Sequence, residues 1–117
     1  MTEAKTTKRP ARKAAPVTTI LTNVKSTHRT VADKQMPIGG GLNPVKAQRY
    51  FAEEADRWAF IKVSRDKAGM PGWDAELLEQ LYYALASTDD PETAKFHLEN
   101  VAAYAVAAIE QLDREAR

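Results

Sequence analysis

The chain contains no cysteine. Disulfides and cysteine-ligated zinc are therefore excluded, and a reducing, intracellular setting is the one expected. No apolar run approaches the roughly 18 residues that a membrane-spanning helix needs. The first residues are basic with no apolar segment behind them, so they do not read as a secretory signal. No internal repeat is visible. Only "VTTILTNV" (17–24) has the β-branched composition of a strand. A single strand has nothing to pair with, so extended coil is expected there.

The familiar catalytic signatures are also missing. "GGG" (39–41) is followed by "LNP", whereas a phosphate-cradling loop needs Gly-x-x-x-x-Gly-Lys-Ser/Thr; a hinge is the better reading. Ser26, Ser64 and Ser87 lack nucleophile context, and the two histidines lie far apart in sequence. No nucleophilic triad is supported. Nor is there a zinc finger, an aromatic RNA-binding motif or a helix-turn-helix signature.

What remains is 117 residues with an uneven charge distribution. Residues 1–35 carry eight Lys/Arg against two acids, a local charge of +6. The rest carries nine against fourteen, a charge of −5. This is a basic arm joined to an acidic body. "MTEAKTTKRPARKAAP" (1–16) has few bulky apolar side chains, so it is expected to be disordered unless a partner orders it. Lys5, Lys8, Arg9, Arg12 and Lys13 could neutralise phosphates without sequence preference, or dock onto a protein. "MPIGGGLNP" (36–44) marks the boundary, giving an arm over 1–42 and a helical domain over 43–117.

Three helices are predicted in that domain. Asn43 and Pro44 form a start signal. Ala47, Phe51, Ala55, Trp58 and Ile61 then form an apolar stripe that ends near Gly69 and Pro71. After "PGWD", Leu77, Leu78, Leu81, Tyr82 and Leu85 give a second buried face. Asp89 or Asp90 is expected to cap the third helix, with Asp89 and Glu92 able to form a capping box. Its stripe is Ala94, Leu98, Val101, Ala105, Ile109 and Leu112. The fold class is thus all-α, a small bundle with a thin core. Tyr50, Tyr83 and Tyr104, expected at the surface, suggest a homo-oligomer or a larger protein assembly.

Glu76 and Glu79 share a face of the second helix, and His97 and Asn100 share one on the third. If those helices are antiparallel neighbours, Glu79 approaches the His97/Asn100 edge. One carboxylate with two neutral groups is a poor Mg²⁺ site, since that ion prefers several anionic oxygens. By spacing alone these positions read as a solvated helix edge.

"LLEQLYYALASTDDPETAKFHLENVAAYAVAAIEQLDR" (77–114) resembles the end of a MazG-like nucleotide pyrophosphohydrolase domain, notably small actinobacterial and phage members. The resemblance implies an all-α, commonly oligomeric fold and Mg²⁺-dependent cleavage of nucleoside triphosphates to monophosphate and pyrophosphate. The family's ligands are Glu-Glu-x-x-x-Glu on one helix and Glu-x-x-Asp on the next. They fall on Glu79, Gln80 and Tyr83, then on His97 and Asn100. Only Glu79 is still an acid, so the resemblance implies a degenerate site without catalysis and no cofactor, Mg²⁺ being needed only if activity persists. The expected activity is contact with protein or nucleic acid. The alternatives are a pyrophosphohydrolase with an altered site, and a small structural protein of a phage or nucleoprotein assembly whose arm threads into its partners. The expected location is cytoplasmic or within a phage particle.

Overall fold

A computed structural model describes residues 9–116, with side chains from residue 17 onward. The described residues form four helices and no strand: α1 (Arg9–Val31), α2 (Pro44–Lys67), α3 (Trp73–Ala86) and α4 (Pro91–Glu115). The chain is all-α, as the patterning implied, but with one helix more than the three expected. None of the described helices is long and apolar enough to cross a membrane.

The additional helix overturns the extended reading of residues 17–24 and of the arm around them. Val17, Ile20, Val24, Thr27 and Val31 recur every three or four residues, which is a helical stripe. Ile20 is buried, at 3 % exposure, and it lines a groove with Val24, Ile109 and Asp113. Tertiary packing therefore overrides the β preference of the branched side chains. Two threonine hydroxyls bond back to the preceding turn, Thr22 Oγ1 to the Thr18 carbonyl at 3.0 Å and Thr30 Oγ1 to the Thr27 carbonyl at 2.7 Å. Such bonds reconcile threonine with a helix interior.

The chain divides into two compact units. One is Gln35–Ala105; the other joins the stretch through Lys34 to the segment from Val106 onward. The division falls ahead of the glycine run, so that run belongs with the helices that follow it.

Within Gln35–Ala105 the helix ends are set by local chemistry. Asn43 caps α2 by accepting the Lys46 N–H at 3.1 Å, with Pro44 in its first turn. At the other end Gly69 has φ +74. The Gly69 N–H donates to the Asp66 carbonyl and the Met70 N–H to that of Arg65, the paired bonds of a Schellman stop. A Cβ at Gly72 would lie 2.5 Å from Asp74 Oδ1, so a larger residue there would displace that carboxylate. Asp90 is the residue that caps α4. Its carboxylate accepts the Thr93 N–H at 3.3 Å and the Thr93 hydroxyl at 2.7 Å. Asp89 instead accepts from Gln48 Nε2 at 3.1 Å, so the Asp89/Glu92 capping box is not formed.

Cross-helix contacts fix the direction of the helices. Arg65 pairs with Asp74 at 2.8 Å, and Lys62 with Glu76 at 3.8 Å. Phe51 stacks on Tyr82, and Gln48 Nε2 donates to the Ala86 carbonyl. Early α2 therefore meets late α3, and the two run antiparallel. The buried residues of these two helices are all alanine: Ala55, Ala75 and Ala84 are at 1 % exposure or less. Small side chains let the helix backbones come close, but they bury little apolar area. No large side chain among the described residues is fully buried. The aromatic surface also differs from expectation. Tyr50 is exposed, but Tyr83 and Tyr104 are half-buried, while Phe60 and Phe96 stand out at 73 % and 57 %.

Candidate functional site

The four-residue connection between α3 and α4 turns the chain back on itself. This brings one polar position of α3 against two of α4. Gln80 Oε1 lies 2.7 Å from His97 Nδ1 and accepts from Asn100 Nδ2 at 3.0 Å. Gln80 Nε2 donates to Glu79 Oε1 at 3.4 Å. With its amide nitrogen on the carboxylate side, Gln80 presents oxygen to α4. His97 therefore carries its proton on Nδ1, and Nε2 is left with no partner among the described residues.

Aromatic rings fix the imidazole from two sides. Tyr83 stacks on it with ring centroids 5.1 Å apart and planes inclined by 26°. Phe96 meets it edge-on at 5.2 Å and 69°. The Tyr83 phenol has its pKa raised, first by burial and then by the negative charges of Glu79 and Asp56. Asp56 thus belongs to the surroundings of the cluster. It sits on α2, a helix away from the family-like segment, and its spacing within α2 carried no signal of this. Phe96 was hidden for another reason: it lies off the apolar stripe of α4.

All five aligned positions, Glu79, Gln80, Tyr83, His97 and Asn100, are brought together, and all are half-buried. The solvated-edge reading of His97 and Asn100 is corrected by these contacts. The expected approach of Glu79 to that edge is corrected in detail, because Gln80 makes the contact. Glu76 turns to Lys62 and stays outside the cluster. Glu99 is exposed on another face.

The donor set does not fit Mg²⁺. Glu79 supplies the cluster's single aligned carboxylate, and Gln80 Oε1 already accepts two hydrogen bonds. Among the described residues no three His, Asp or Glu side chains are grouped to hold a metal ion. The arrangement is chemically a clasp: a neutral amide oxygen joins two donors of the neighbouring helix, in a slot walled by aromatic rings.

The basic positions are a separate matter. Lys5 and Lys8 lie outside the described residues, and Arg9, Arg12 and Lys13 fall in α1 with their side chains outside them. Of the other cations of α1, Lys25 and Arg29 are exposed. No family model, no curated protein and no solved structure matches this chain.

Proposed function

We propose that this protein is a non-catalytic helical scaffold of the MazG-like type, acting through contacts with other macromolecules, with its basic arm directed at nucleic acid. One observation carries the reading. The side chains at the positions aligned with the family's ligands converge, yet Gln80, His97 and Asn100 are engaged with each other rather than open to a cation. Magnesium-assisted cleavage of a polyphosphate needs several anionic oxygens on the metal and an activated water. Glu79 alone cannot supply that charge. The separation of +6 from −5 along the chain favours an anionic partner for the arm.

Assay of pyrophosphate release with Mg²⁺ across the common nucleoside triphosphates tests the reading. No release is expected. Release that is abolished by Glu79→Gln would instead make the protein a pyrophosphohydrolase with an altered site. Restoring the acids with Gln80→Glu, Tyr83→Glu, His97→Glu and Asn100→Asp tests the likeness itself. Mg²⁺ should raise the thermal midpoint of that variant and leave the parent unmoved. Indifference of both proteins to Mg²⁺ would remove the MazG-like part of the proposal.

A further inference from the structure

α1 carries no acidic residue anywhere along its length. From residue 17 onward its side chains are exposed, except that of Ile20, which is buried in the groove shared with Ile109. That contact fixes which face of the helix looks outward. At about 100° per residue, Arg29 lies opposite Ile20; Thr18 and Thr22 fall within about 20° of Arg29, and Lys25 within about 40°. These four side chains form one exposed strip. Lys25 and Arg29 stand one helical turn apart, and neither has an ion-pair partner among the described residues. The Thr22 hydroxyl turns back to the Thr18 carbonyl at 3.0 Å, which keeps the strip low between the cations and the arm.

We infer that this strip is a contact surface for duplex DNA, lying in the major groove and continuing the basic arm. The inference rests on the nucleic-acid reading proposed above, and adds to it a site and the kind of nucleic acid. Charge complementarity selects a polyanion. Free cations on a helix without a single acid attract negative charge with nothing on the same element to oppose it, whereas residues 36–117 are net negative at −5.

The side chains of the strip then separate one polyanion from another. Single strands and RNA loops are held largely by stacking their bases on aromatic rings, and the chain has no Phe, Tyr or Trp before Tyr50. Duplex RNA has a major groove too deep and narrow for side chains to read. The major groove of B-DNA, about 12 Å wide, admits a helix. Thr18 and Thr22 are short, so the helix backbone can approach the groove floor, and the longer Lys25 and Arg29 reach phosphates or guanine edges from there.

Fluorescence anisotropy of the full chain on short duplex DNA, duplex RNA, single-stranded DNA and heparin tests this. Duplex DNA should bind at least tenfold more tightly than the other three. The double variant Lys25→Ala/Arg29→Ala should reduce the slope of log affinity against log salt by about 2, since each lost phosphate contact removes about 0.9. Lys46→Ala/Arg49→Ala, which removes the same charge from exposed positions of α2, should leave that slope unchanged. Thr22→Glu, an acid placed within the strip, should weaken duplex binding about tenfold. Circular dichroism checks that each variant keeps its helices. On a saturated duplex, guanine N7 should be protected from methylation, because that atom faces the major groove. Equal affinity for heparin, duplex RNA or single strands overturns the inference, as does an unprotected N7. An unchanged slope in Lys25→Ala/Arg29→Ala, with binding lost on deletion of residues 1–16, overturns it too and leaves the arm reading standing. Absence of binding to any of the four polyanions at low salt removes both.

Discussion

Gln80 has one amide oxygen and two donors competing for it. That single atom joins α3 to α4, since His97 Nδ1 and Asn100 Nδ2 both point to it. Replacing it with a shape-matched apolar side chain leaves two half-buried donors without their acceptor, the costly way to lose a hydrogen bond. Gln80→Leu should therefore destabilise the protein by about 1–2 kcal/mol in denaturant titration. Gln80→Glu keeps an oxygen in place and makes the bonds charge-assisted, although it adds a like charge beside Glu79. It should retain most of the stability that Gln80→Leu loses. Equal losses in the two variants would mean that the clasp is not held by its acceptor. The sequence carried part of this in advance. Alignment to a family pattern selected the five positions, and helix spacing put His97 and Asn100 on one face. It could not tell which α3 residue would meet them, because Glu79 and Gln80 are adjacent and the helix rotation that chooses between them is set by packing.

At the scale of the element, two helix caps make a contrast. Asn43 caps α2 with a neutral amide, and Asp90 caps α4 with a carboxylate. Asn43→Ala should cost about 1 kcal/mol, with little dependence on pH. The Asp90 carboxyl is held below its usual range, mainly by the hydrogen bond from the Thr93 hydroxyl and next by the Thr93 N–H. Asp74 is shifted in the same direction by its hydrogen bond from Arg65. A carboxyl with a lowered folded pKa contributes fully above its ordinary value, near 3.8, and its contribution is lost as the pH falls through the folded value. Asp90→Ala should thus lower the thermal midpoint by a few degrees at neutral pH. The gap from the parent should narrow progressively below about pH 4, while the gap for Asn43→Ala persists. A pH-independent gap for Asp90→Ala would show that the carboxylate charge is not what caps α4. Start and stop signals of this kind were plain in the sequence, because capping depends on a few adjacent residues. The helix at 9–31 was not. Its stripe of Val17, Ile20, Val24, Thr27 and Val31 was present, but the β-branched composition pulled the reading toward extended chain. What decides the matter is the burial of Ile20 in the groove it shares with Ile109, a residue about 90 positions away in the sequence.

The whole molecule combines an alanine-rich interior with strongly separated charge. Among the described residues the buried apolar set is Ile20 and four alanines, so a single chain has little hydrophobic reserve. Its charge, in contrast, has long reach. Residues 1–16 hold Lys5, Lys8, Arg9, Arg12 and Lys13, and they precede every side chain of α1 that packs in the described structure. Deleting them should leave the helical signal of the remaining chain in place while removing most of the concentrated positive charge. If the arm contacts nucleic acid through phosphates, each neutralised phosphate contributes about 0.9 to the slope of log affinity against log salt. Five basic side chains bound to a duplex correspond to a slope of about −4 to −5. The full chain should accordingly bind non-specific duplex DNA at low salt and lose that binding steeply as salt rises. The chain lacking residues 1–16 should bind far more weakly, with a slope nearer zero, because the acidic remainder repels the same polyanion. Retention of both affinity and slope after the deletion would locate any nucleic-acid contact elsewhere, for which the exposed Lys25 and Arg29 of α1 are the first side chains to change.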